Sequence, residues 1–238
     1  MSPSAVRRCA VWLSAAMLPA LASAAPALSP MSLRYDVAWG SVPLGEGQLT
    51  LSATGEDCYR YELGTDPIGL IAWTYGAPGE VSEFCVRGQR LVPSRMSFSN
   101  PKRRKDGFTL DFDWTQGQVL GGRNGPLAIE AGTVDRLSVQ QAGRLWVKAN
   151  AGKTEPGTVV LTVADHKRVK AYTFAIGGRG KVETPAGRFD AIRFERIDDP
   201  RTTLRFWLAP ELDYMPVKVE NLEDGDPKLN LTLRRRPS

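Results

Sequence analysis

Large apolar side chains at every second position, in short runs closed by Pro, Gly and Asp, constrain this chain more than any other feature. The pattern is densest from Gly180 to Glu220, where Ile192 and Phe194, then Leu204, Phe206 and Leu208, alternate with other residues. Thr184-Pro185-Ala186-Gly187, Asp198-Asp199-Pro200, and Ala209-Pro210 with Tyr214-Met215-Pro216 supply the corners. A period of two puts alternate side chains on one face of a strand, whereas a helix needs a period of 3.6. The stretch therefore predicts four consecutive short strands of a half-buried antiparallel meander. It holds no nucleophile–base pair and no metal-ligand cluster.

The same alternation recurs upstream. Strands are predicted at Leu33–Trp39, Gly47–Ala53, Cys58–Leu63, Glu80–Val86, Leu91–Phe98 and Phe108–Trp114, then as a hairpin at Thr158–Val163 and Val169–Ile176. Leu229–Leu233 closes the series, with Glu223-Asp224-Gly225-Asp226 as the turn before it. Two places differ. Ile68-Gly-Leu70-Ile71-Ala-Trp73 is apolar without clean alternation, and periodicity leaves it open between a short helix and an irregular loop. One helix is expected from Thr133 as its cap, with Asp135 in the first turn, where the helix dipole favours a carboxylate, and Gly143 at the end. No repeat of fixed period is present. Many short antiparallel strands with a single short helix predict a mainly β chain, a curved sheet forming a half-barrel or incompletely closed barrel with the helix packed on it.

The first residues set the compartment. Arg7 and Arg8, an apolar run from Cys9 to Leu21 and the small-residue end Ala22-Ser23-Ala24 read as a cleavable secretory leader over residues 1–24. The run is too short for a membrane span, which needs roughly 20 apolar residues, and Pro19 interrupts it. Residues 25–238 are then a single β-rich domain, exported to a periplasm, without a transmembrane segment, and with Ala25–Pro30 as a flexible lead-in. The net charge of +5 falls to +3 once Arg7 and Arg8 are removed. So mild an excess points to anionic envelope surfaces rather than nucleic acid. Of the cysteines, Cys58 and Cys85 remain, beside predicted strands. In an oxidising compartment a disulfide between neighbouring strands is favoured over two buried thiols.

Several of these segments, in this order, resemble one bacterial family. They are Thr133-Val-Asp135-Arg-Leu137-Ser138, Thr184-Pro185-Ala186-Gly187-Arg-Phe189-Asp190, Phe206-Trp207-Leu208-Ala209 and Met215-Pro216-Val217-Lys218, with Tyr35-Asp-Val37-Ala-Trp39 and Leu91-Val-Pro93. They resemble the exported family of domain of unknown function 3108. The resemblance implies an exported, β-rich protein with no catalytic or binding residues to carry over; the outline is similar to the half-barrels of periplasmic lipoprotein carriers.

Chemistry-bearing residues are sparse. His166, the single histidine, falls in a basic hairpin turn, a poor setting for a catalytic triad. With Cys58 and Cys85 paired, too few ligands remain for zinc. Asp111 and Asp113 share one strand face and read as a solvated face rather than as paired catalytic carboxylates. Glu223–Asp226 lacks the spacing of a calcium loop. No enzyme, metal or cofactor is expected. Two features point to a partner instead. Lys102-Arg103-Arg104-Lys105 suits an anionic surface or an acidic protein, or else is a solvated hairpin tip. Ile68, Leu70, Ile71 and Trp73 suit a lid over an apolar interior, or else a plug filling it. The leading expectation is a periplasmic, non-enzymatic protein binding a lipid or another hydrophobic or amphiphilic envelope ligand. The alternative is a structural or interaction module of envelope biogenesis that holds a protein partner.

Overall fold

The computed structural model describes residues 27–236, so the expected leader and its cleavage point lie outside the described residues. In chain order the elements begin β1 (Met31–Trp39), β2 (Val42–Gly55), β3 (Cys58–Pro67), α1 (Gly69–Tyr75), β4 (Gly79–Arg87) and β5 (Arg90–Ser99). They continue through β6 (Phe108–Asp113), β7 (Gln118–Leu120), β8 (Leu127–Ala128), β9 (Val134–Asp135) and α2 (Val139–Asn150). The last strands are β10 (Thr158–Ala164), β11 (Val169–Thr184), β12 (Gly187–Arg196), β13 (Thr202–Ala209), β14 (Met215–Glu223) and β15 (Asp226–Arg235).

All of these strands belong to one 15-stranded sheet in the order β8-β7-β6-β5-β4-β3-β2-β1-β15-β14-β13-β12-β11-β10-β9. Each half is an up-and-down meander, and the halves join where β1 pairs antiparallel with β15, Tyr35 opposite Leu233. The sheet stays open but curls until β9 reaches β4, where the Ser82 hydroxyl donates to Asp135 at 2.6 Å. The expected fold class holds: a mainly β chain built as a curved, incompletely closed barrel.

The alternation places Leu33, Tyr35, Leu49, Leu51, Tyr59, Tyr61 and Phe84 in one buried cluster with Phe189, Val217 and Leu233 from the other half. A second cluster, around Phe174, Phe194 and Phe206, packs under α2 through Val147. Cys58 and Cys85 sit directly opposite each other on β3 and β4 and are bonded. In the loop-entropy account a ring of this size adds about 3 kcal/mol to stability.

Four expectations change. Gly180–Thr184 is not a separate strand; it is the end of β11, which continues from the preceding hairpin through a bulge between Ile176 and Gly178. The helix begins at Val139 rather than after Thr133, because Val134 and Asp135 are captured as a parallel bridge on β10. Asp135 serves the helix start from outside it: its Oδ1 accepts the backbone N–H groups of Leu137 and Ser138 at 2.9 and 2.8 Å. Gly143 does not end the helix either. It lies inside α2, where a Cβ would stand 2.6 Å from Phe194, so the glycine permits close packing.

The fourth change is the lead-in. Leu28 is fully buried, its N–H donates to the Tyr59 hydroxyl at 3.1 Å, and Ser29 N–H donates to Asp213 at 3.1 Å. A fully buried leucine contributes about 2 kcal/mol by transfer alone, enough to hold the segment in place. The structure also adds the short strands β7 and β8 and a second helix where one was expected: α1 settles the ambiguous Ile68–Trp73 stretch as helical.

Candidate functional site

The strand register sorts the connections between the two ends of the sheet. At one end lie the β2–β3 and β4–β5 turns, the disulfide and the β13–β14 connection. Here Arg144 of α2 is 1% exposed, yet each of its nitrogens finds an acceptor. Nε donates to the Asp213 carbonyl at 2.5 Å, Nη2 to the Asp213 carboxylate at 2.6 Å, and Nη1 to Gln141 at 2.9 Å. Lys148 reaches the same carboxylate at 2.7 Å. Burial pulls the guanidinium pKa down, against the opposing pull of Asp213. Burial opposes ionisation of Asp213 too, but Lys148 and Arg144 outweigh it and hold the carboxyl below its ordinary value. Leu28 closes this end.

The opposite end gathers the β1–β2 turn, α1, the β5–β6 turn and the β14–β15 turn. Trp39, Val42, Ile68, Leu70, Trp73 and Tyr75 all expose half or more of their surface here, with Leu70 and Trp73 highest at 72% and 73%. No residue of α1 is buried. The segment therefore does not plug an interior: Ile68, Leu70 and Trp73 are exposed, and Ile71 and Ala72 are half-buried.

Its neighbour is the basic turn. The β4–β5 register sets Gly79 opposite Ser99, which brings the chain just after α1 against the chain just before Lys102. Asn100 donates its amide to the Tyr75 carbonyl at 2.9 Å. The Lys102 ammonium donates to the Trp73 carbonyl and lies 5.7 Å from the Trp73 ring centre, while Arg103 stacks 4.5 Å from that of Tyr75. The two sequence-predicted segments thus form one surface. Within Asn100–Gly107 the only carboxylate is Asp106, and Lys102, Arg103, Arg104 and Lys105 make no ion pair among the described residues.

In the sequence the two segments stand apart, separated by β4 and β5. The signal was there: counting outward from the Gly88-Gln89 turn along β4 and β5 brings Gly79 and Ser99 together.

A groove of about 280 Å³ lies against β10–β14 with Val139, Tyr172, Phe174 and Leu204 among its walls, and two larger clefts of about 470 and 450 Å³ lie elsewhere, one beside Val92 and Trp114 and one beside Ala191 and Pro210. The groove's volume is at the low end for small-molecule sites. Its charged lining is Arg136, Arg168, Lys170 and Arg196 with one carboxylate, Asp165; Arg136 is paired with Glu80, and Arg196 with Asp198 and Asp199.

The remaining candidates have structural surroundings. His166 stacks on Phe108 with ring centres 4.4 Å apart, and its Nδ1 is buried without a hydrogen-bond partner. Burial lowers its pKa. Asp111 pairs with Arg95 at 3.3 Å, and Asp113 accepts the backbone N–H groups of Thr115 and Gln116 in its turn, both at 3.0 Å. Asp224 and Gly225, with φ of 51° and 87°, make the two-residue turn between β14 and β15. Asp135 is fully buried, and burial raises its carboxyl pKa, against hydrogen bonds from Ser82 and Ser138. Among the described residues no three His, Cys, Asp or Glu side chains converge as a metal site. No helix among them is long and apolar enough to cross a membrane.

Comparison with known proteins places this architecture. A crystal structure of a "beta-barrel-like protein of domain of unknown function DUF1849" from Brucella abortus aligns with a TM-score of 0.53 at 15% identity. The alignment covers 89% of this chain and 98% of that one, a likeness of fold alone. No curated protein matches. The family model described as "Protein of unknown function (DUF3108)" matches residues 34–233, from the β1 strand through the β15 strand that meets it, and the chain belongs to that family.

Proposed function

We propose that this is an exported, periplasmic, non-enzymatic protein that engages anionic amphiphiles of the cell envelope, meeting a lipid surface with α1 and the basic turn beside it. One observation carries this reading. Exposed Leu70, Trp73 and Tyr75 share a surface with Lys102–Lys105, held to them by the Lys102–Trp73 and Arg103–Tyr75 contacts. Apolar and aromatic side chains flanked by unpaired cations suit the boundary between headgroups and acyl chains. A basic residue near an anionic membrane contributes about 1 kcal/mol, so four together favour binding by about a thousandfold. The leader-like residues 1–24 and the Cys58–Cys85 bond fit an oxidising, exported setting.

The test is binding to vesicles of phosphatidylglycerol and of phosphatidylcholine, followed by co-sedimentation and tryptophan emission. Binding is expected to the first and not to the second, with a blue shift that Trp73→Ser removes. Leu70→Ser with Trp73→Ser, or Lys102→Glu with Arg103→Glu, should each abolish it. A protein that ignores anionic vesicles, or binds them regardless of both pairs of substitutions, refutes the proposal.

A further inference from the structure

The β10 strand has an open side. It pairs along its whole length with β11, from Thr158 opposite Ala175 to Ala164 opposite Val169, whereas β9 covers only Val163 and Ala164 on its other side. The five residues Thr158–Thr162 are left at a sheet edge. Among the described residues no turn or loop backbone and no side chain hydrogen-bonds to them. At the far edge of the sheet the problem is solved by brevity, β7 having three residues and β8 two. Natural edges are usually shortened, charged or covered because unpaired backbone groups invite another strand. This one is Thr-Val-Val-Leu-Thr, rich in β-branched residues, uncharged and without proline. Val160, 60% exposed, stands at its centre.

The sequence of the edge is close to a palindrome. Antiparallel pairing with a second copy about Val160 sets Thr158 opposite Thr162 of the second copy, Val159 opposite Leu161, and Val160 opposite itself. The outward row of Thr158, Val160 and Thr162 meets the same row, and the more buried row of Val159 and Leu161 meets its own kind. Threonine pairs and β-branched pairs are favourable cross-strand neighbours. The flanking β11 residues Ala171–Ala175 are also uncharged, so two copies approach without like-charge repulsion. One patch that complements itself is the requirement of a two-fold dimer.

We propose that the protein forms a two-fold dimer by antiparallel pairing of β10 with β10 of a second copy about Val160, joining the two sheets edge to edge. Sedimentation velocity across a concentration series should show monomer converting to dimer. Val160→Lys places two ammonium groups face to face and should weaken the dimer by about tenfold or more, that is about 1.4 kcal/mol or more, while the exposed position leaves the melting temperature nearly unchanged. In a Cys9→Ala background, mild oxidation of Val160→Cys should yield a disulfide-linked dimer, because directly opposed Cα atoms in such a pair lie about 4.5–5.5 Å apart, within the span of a disulfide. Ile197→Cys, similarly exposed but off this edge, should give no disulfide-linked dimer. A chain that is monomeric at every concentration with no Val160→Cys cross-link overturns the proposal, as does a dimer that Val160→Lys leaves intact.

Discussion

The two ends of the sheet use cations in opposite ways. At the closed end Arg144 is enclosed, and its donors are spent on Asp213 and Gln141. At the exposed end Lys102–Lys105 stand in solvent beside uncovered Leu70 and Trp73; Lys102 and Arg103 touch the Trp73 carbonyl and the Tyr75 ring, and none of the four pairs with a carboxylate among the described residues. A charge that is buried has been matched and can do little but hold its neighbours in place. A charge left unmatched beside exposed apolar surface is cheap to keep and available to something outside. The contrast is between a matched, buried charge and an unmatched, exposed one within one fold.

Removing Arg144 should break the contrast most severely. Arg144→Ala leaves Asp213 with a partner gone and opens a space where the buried guanidinium stood, and the expected loss is about 3–5 kcal/mol, read as a fall in the urea midpoint. A loss below about 1 kcal/mol would mean that Lys148 alone satisfies Asp213.

A smaller effect comes from the tyrosines beside Arg144. Burial raises the pKa of both Tyr35 and Tyr61 well above the ordinary value of 10.0. Below pH 10 both states keep their protons, so nothing changes. Above it the unfolded chain ionises while the folded chain does not, and stability should fall by roughly 1.4 kcal/mol per tyrosine for each further pH unit. Urea titrations at rising alkaline pH measure the slope. Tyr35→Phe loses the 2.7 Å bond to the Pro216 carbonyl but should flatten the slope by half.

The smallest stability change belongs to the exposed end. Replacing Lys102, Arg103, Arg104 and Lys105 together with serine should move stability by less than about 0.5 kcal/mol per position, since they form no ion pairs. A large destabilisation there would show that Lys102 and Arg103 serve to pin α1, and would erase the distinction between the ends.

Much of this fold is legible in the sequence because its dominant signal is local. Alternation at Tyr35-Asp-Val37 or Phe108-Thr-Leu110 needs no knowledge of partners, and paired turns fix neighbouring strands. Cys58 and Cys85 could be joined for the same reason. What was not legible depends on distant partners. Thr133-Val-Asp135 has good helix-start chemistry, but the β10 strand, a long way downstream, claims Val134 and Asp135 first. Gly143 resembles a helix terminator and is instead a gap cut for Phe194. Leu28 and Ser29 lie in a Pro-containing stretch that reads as loose, yet Tyr59 and Asp213 fix them. For the candidate site, residue types singled out the two segments, while their contact depended on the β4–β5 register.

The seam between β1 and β15 has a kinetic consequence. Arg34 lies opposite Arg235, so the pairing that unites the two meanders spans almost the whole described chain. Nearest-neighbour hairpins close quickly, whereas a contact of such sequence separation carries the full loop-closure entropy and forms late. Until it forms, each meander carries an extra naked border, one along β1 and one along β15, and the intermediate is exposed to mispairing with other chains. Once it forms, the two ends of the described chain lie side by side. A short covalent bridge between them, with new ends opened in the connection between α2 and β10, would preserve every strand pair while converting this slow long-range step into a local hairpin.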